Sequence, residues 1–114
     1  MTRPSGLTVE RWKRFRLGQQ ILQIGAEMQR GSSSLTPDRS AWLRPCYERA
    51  LQLVDLTVQA QENAHLRREL LRWRDLIAEL YLREVPDPEA HRLAFRVLLQ
   101  LHPEAAKQIP ILGL

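Results

Sequence analysis

The densest group of chemistry-bearing side chains is RWKRFR, residues 11–16, with four cations and two aromatic rings in six positions. Arg11, Lys13, Arg14 and Arg16 could receive an acidic protein or a nucleic acid. The guanidinium suits phosphate because its planar fork donates two parallel hydrogen bonds. The charge map singles out this segment. Residues 1–16 carry five basic side chains and one acid, and residues 17–114 carry twelve of each, so the net charge of +4 resides at the start. On a helical wheel Trp12 and Phe15 are neighbours, and the cations spread round the rest of the circumference. That arrangement predicts rings in the core, with arginine stems lying across apolar surface and their heads in water. A base-stacking platform needs its rings exposed, and an interfacial membrane helix needs a longer apolar face. No membrane partner is therefore expected.

Metal and nucleophile chemistry finds little purchase. Glu62-Asn-Ala-His65 has the spacing that sets a carboxylate and an imidazole on one helix face, as in carboxylate-bridged di-metal proteins. Those sites need a second such pair and two further glutamates, and neither His91 nor His102 has a glutamate three residues before it. One cysteine and three scattered histidines give no ligand pair at zinc spacing. No metal or cofactor is expected. Cys46, between Pro45 and Tyr47, reads as a small core residue rather than a nucleophile. Gly-x-Ser-x-Gly elbows and glycine-rich phosphate loops are both missing from the sequence.

One further spacing carries chemistry. Arg96-Val-Leu-Leu-Gln-Leu-His102 reads R-x5-H. It resembles the R-x4–6-H motif of HEPN-type ribonucleases, which are small helical bundles that often dimerise. The resemblance covers these seven residues. It implies that Arg96 and His102 would bind and cleave an RNA backbone at a dimer interface. The family usually has a polar residue after the arginine, whereas Val97 stands here.

The elements that must position these residues read as all helix. The apolar periodicity is near 3.6, alternating β-branched runs are missing, and turn residues fall at helix boundaries. A first helix is expected from Val9 to Arg30, capped by Thr8. Trp12, Phe15, Leu22 and Ala26 form one of its stripes, and Leu17, Ile21, Ile24 and Met28 a nearly opposite one. A helix apolar on two sides is either central in its own fold or shared with a partner chain. Gly18 and Gly25 between the stripes would let a neighbour approach closely. GSSSLTP then forms a loop. The second helix starts at Thr36-Pro37 and runs to about Gln61, with Pro45 either kinking it or ending a shorter piece near Arg44. The third covers Ala64 to Glu84, capped by Asn63, with Leu66, Leu70, Trp73, Ile77, Leu80 and Tyr81 inward and an Arg72–Asp75 pair outside. The boundary near 61–65 is either a break or a bend. The fourth opens at Asp87-Pro88, buries Ala90, Leu93, Ala94, Val97, Leu98 and Leu101, and stops at Pro103. HPEAA could start one more turn, and IPILGL reads as an extended apolar tail.

The expected fold is thus an all-α antiparallel bundle of about four helices, one domain over 1–114, flexible over 1–7 and extended over 109–114. A single cysteine, no apolar leader and no apolar run of membrane length point to a soluble protein in the reducing cytoplasm. The function expected is association without catalysis, as a homodimer or adaptor burying Leu17, Ile21, Ile24 and Met28 between copies. Two alternatives are nucleic-acid binding through residues 11–16 and the ribonuclease of Arg96 and His102.

Overall fold

Trp12 anchors the first element to the core. Its indole is fully buried, and its Nε1 donates to Thr57 Oγ1 at 2.9 Å. In the computed structural model, which describes residues 6–114, every regular element is helical and no strand occurs among those residues. The helices are α1 (Val9–Trp12), α2 (Leu17–Gly31), α3 (Ser40–Ala60), α4 (Ala64–Leu82), α5 (Pro88–Leu99), α6 (Pro103–Ala106) and α7 (Gln108–Ile111), with a 3-10 turn at Pro37–Arg39. The Cα radius of gyration is 13.4 Å, close to the roughly 13 Å of a compact chain of this length. Flexibility was expected over residues 1–7, of which residues 1–5 lie outside the described residues.

The single long first helix of the sequence reading is corrected to two. Arg16 is extended, and the chain turns through Lys13–Arg16. Two glutamines hold the break. Gln20 Nε2 donates to the carbonyls of Trp12 and Phe15, each at 3.0 Å, satisfying acceptors that a continuous helix would have used internally. Gln19 Oε1 accepts from Arg16 N at 3.0 Å and caps α2.

Local chemistry sets the other ends. Pro45 lies inside α3, which continues through it. The lost bond would have gone to the carbonyl of Ala41, which is exposed and can meet water instead. Thr36 makes no side-chain cap, and Pro37 opens the 3-10 turn ahead of α3. The boundary near 61–65 is a break, where Asn63 Oδ1 accepts from Leu66 N at 3.0 Å. Asp87 Oδ1 caps α5 by accepting from Ala90 N at 3.0 Å. The expected Arg72–Asp75 pair gives way to Arg72–Glu69 at 2.8 Å. The extended tail over 109–114 is corrected as well. Pro110 occupies the third residue of α7, where no intrahelical donor is needed, and Leu114 N closes the turn onto Ile109 O at 3.0 Å.

α2 packs on α3, α3 on α4 and α4 on α5, and α5 returns onto α2. Cross-links tie these pairs together: Glu27–Arg49 between α2 and α3, Asp55–Arg74 and Glu48–Tyr81 between α3 and α4, which makes that pair antiparallel, and Trp73 Nε1 to Ala94 O between α4 and α5. The α4 stripe is as expected, with Leu70, Trp73, Ile77 and Leu80 buried. The face of α5 is the expected one in part, with Ala90, Ala94, Val97 and Leu98, and Leu101 just beyond the helix, packed on the core. Leu93 is exposed, while His91 and Phe95 are buried beside Ala94 and Leu98. Adjacent stripes on a helix satisfy the same periodicity, and the space facing α2 decides between them.

That space is set by glycine. A Cβ on Gly18 would collide with Glu104 Oε2 and lie 3.0 Å from His102 Nδ1; at Gly25 it would make only ordinary contact with Phe95. A Cβ on Gly31 would lie 3.0 Å from Leu43 Cδ1 and 3.2 Å from His91 Cε1. His91 is held on both ring nitrogens and cannot give way. Gly31→Ala is therefore expected to destabilise the protein by about 1–3 kcal/mol through overpacking, despite better helix propensity. Urea denaturation measures it, and an unchanged midpoint would refute the tight contact.

Candidate functional site

The basic segment is divided by the break that follows α1. Trp12 is buried as expected. Phe15 is not: its ring is 39% exposed and meets the Trp12 indole edge-on at 5.6 Å. The expectation that both rings enter the core is corrected, because the turn at 13–16 carries Phe15 to the rim. Of the four cations, two have internal partners. Arg11 Nη1 donates to Gly6 O at 2.6 Å, and Arg16 Nη2 pairs with Glu104 Oε1 at 3.2 Å. Lys13 and Arg14 are exposed and have no partner among the described residues.

The stripe expected between copies lies inside one chain. Ile21, Ile24 and Met28 are fully buried, and Leu17 is half-buried against the same core. α2 is central because α3 covers one of its sides and α5 another, so these residues offer no face to a second copy. Leu22 and Ala26, of the other stripe, border an open apolar cleft of ≈330 Å³ completed by Phe95, Leu99, Gln108 and Leu112.

The remaining candidates are dispersed. His102 caps α6, its Nδ1 accepting from Glu104 N at 3.1 Å. Arg96 is exposed in the last turn of α5, and no hydrogen bond joins it to His102. Glu62 falls before the Asn63 cap and His65 after it, both exposed, so they do not share a helix face. Among the described residues no three of His, Cys, Asp and Glu gather as metal ligands. Burial pushes the Cys46 thiol up in pKa, away from the reactive thiolate. Its Sγ points at Trp42 O at 3.5 Å.

One constellation escaped the sequence reading. His91 is fully buried where α2, α3 and α5 meet. Its Nδ1 lies 2.7 Å from Tyr47 Oη, and its Nε2 lies 3.0 Å from Met28 O and 3.1 Å from Ser32 Oγ. Serine, imidazole and a third orienting group in line is the outline of an activated nucleophile. The hydrogen count refutes it. Met28 O is an acceptor only, so Nε2 carries the proton and cannot act as a base toward Ser32. Nδ1 then accepts from the Tyr47 hydroxyl, and Ser32 Oγ donates to Met28 O at 2.9 Å. Every buried side-chain polar atom among the described residues is satisfied in this arrangement. The only sequence signal for it is an imidazole one turn into α5, in register with Ala94, Phe95 and Leu98.

Burial pushes the His91 pKa below the ordinary imidazole value, the bond to Met28 O opposing in part. Protonation would also put a hydrogen on Nδ1, where Tyr47 now donates. Because the folded pKa is depressed, the unfolded chain binds the proton first as pH falls. Stability from this group is complete above about pH 6.5 and declines below it, by at most about 1.4 kcal/mol per pH unit. Urea denaturation should show a steeper loss between pH 7 and 5 in the wild type than in His91→Gln. Parallel curves would refute the assignment. Tyr47→Phe leaves Nδ1 buried without a donor and should cost about 1–3 kcal/mol at neutral pH. No family model, curated protein or solved structure matches the chain.

Proposed function

We propose that the chain acts by association, not catalysis, as an antiparallel bundle of about four helices that docks on another protein, first of all on a second copy of itself. The supporting observation is a set of exposed apolar side chains at one end, from two helices and the turn that follows the second. Trp42 near the start of α3 is 64% exposed, Leu82 at the end of α4 73%, and Val85 in the turn to α5 62%. They belong to one end because the Arg44 guanidinium lies 5.0 Å over the Tyr81 ring and Tyr47 bonds His91. Isolated exposed leucines are ordinary, but a largely exposed tryptophan at the same end as two further exposed apolar side chains supports a contact surface there. Arg39 lies 5.5 Å over the Trp42 ring and supports it from one side. A two-fold interface brings one patch against itself, so this end suffices for both copies. The sequence has a single cysteine, and it is buried, which favours a reducing, cytoplasmic setting.

A second reading is binding of nucleic acid through residues 11–16, favoured by the unpartnered Lys13 and Arg14. Against the ribonuclease, the Nδ1 of His102 is occupied as a helix cap.

Sedimentation equilibrium at micromolar concentration tests the first reading. The expected mass is twice the 13.3 kDa of the chain. The double variant Trp42→Glu, Leu82→Glu should sediment as a monomer with its helicity intact. A monomeric wild type, or a dimer that survives both substitutions, would contradict association through this end.

A further inference from the structure

The unpartnered cations of the basic segment have company on another helix. Trp12 docks on Thr57, in the last turns of α3, and α4 begins just beyond the α3 terminus, after the Asn63 cap. Residues 13–16 and the first turns of α4 therefore share one end of the molecule. Arg67 and Arg68 are exposed there with no partner among the described residues. They border a shallow hollow of ≈210 Å³ with Ala64 and Leu71. Glu69 is spoken for by Arg72, which leaves Glu10 and Glu62 as the acids of this end without a side-chain ion pair. Four free cations on two elements outnumber them.

Building on the second reading above, we infer that this end is a two-element binding surface for single-stranded nucleic acid. Lys13, Arg14, Arg67 and Arg68 contact phosphates, and Phe15 stacks one base. The sequence places only one half of this surface near its charge excess; the other half comes from the fold. Charge complementarity selects a polyanion, and arginine forks on both elements suit phosphate oxygens. The half-exposed Phe15 ring, fixed edge-on against buried Trp12, offers an aromatic face beside the cations, the combination that single strands use. A membrane surface fits less well. α1 is a single turn whose tryptophan is already buried, and no continuous apolar face is left to enter lipid.

Fluorescence anisotropy with a labelled oligothymidylate of about 16 nucleotides tests this. The probe is titrated with wild-type protein between about 50 and 200 mM salt. Four phosphate contacts to a single strand predict a slope of log affinity against log salt of about −3. Lys13→Glu with Arg14→Glu, and separately Arg67→Glu with Arg68→Glu, should each weaken binding and bring the slope to about −1.5. Phe15→Ala should weaken binding by about tenfold or more and leave the slope unchanged. Circular dichroism checks that each variant stays helical.

The failures are separable. No binding by the wild type at low salt overturns both this proposal and the reading it rests on. Binding that is lost with the first pair but untouched by the second overturns the two-element surface and leaves the segment alone as the site. Equal competition by polyglutamate, or no effect of Phe15→Ala, overturns a single-strand ligand. Binding to anionic vesicles with none to the oligonucleotide overturns nucleic acid as the partner.

Discussion

Everything in this molecule is arranged around the need to cover α2 on more than one side. Ile21, Ile24 and Met28 lie on one stripe, and Gly31 lets the His91 ring of a second helix approach closely. α3 takes one side and α5 another, so a helix that could have been shared between chains is buried within one. Apolar area removed from water is the largest favourable term available to a fold of this size, and the chain finds it internally. The consequence for function is direct. The flank of α2 that carries Ile21, Ile24 and Met28 is used up by folding, and the contacts proposed with partners lie at the two ends.

The close packing of α2 on α5 has a polar component. Gly31 brings the α2 terminus within reach of the His91 ring, whose two nitrogens are matched by Tyr47 and the Met28 carbonyl. An imidazole so placed is costly unless both nitrogens are matched, and once matched it fixes the rotation of α5. This explains why Phe95 faces inward and Leu93 outward. The same node outlines a catalytic triad and is disqualified by a single carbonyl, so the arrangement is structural.

Much of the fold was legible in local chemistry. Asp87 ahead of Pro88 and Asn63 ahead of α4 cap where their types and spacing say they should, and the α4 stripe from Leu70 to Leu80 is the buried one. What was not legible depends on groups that meet only in the fold. The break at 13–16 hangs on the Gln20 amide reaching back to two carbonyls, and a glutamine inside an amphipathic run gives no warning of that. The rotation of α5 hangs on Gly31, sixty residues from His91. At the basic segment the charges were visible and their surroundings were not. Arg11 and Arg16 are engaged internally, Lys13 and Arg14 are free, and Arg67 and Arg68 arrive from another helix.

The two ends differ in chemistry, one apolar with Trp42, Leu82 and Val85, the other cationic with a half-exposed ring. The central claim is that α2 is covered by its own chain and that contacts with other molecules occur at these ends. Amide hydrogen exchange of α2, followed as the protein is diluted through the micromolar range, tests it most directly. The account predicts that protection around Ile21, Ile24 and Met28 does not change with concentration, while amides around Leu82–Asp87 lose protection on dilution. Faster exchange in α2 on dilution would mean that a partner supplies its cover, and would contradict the account.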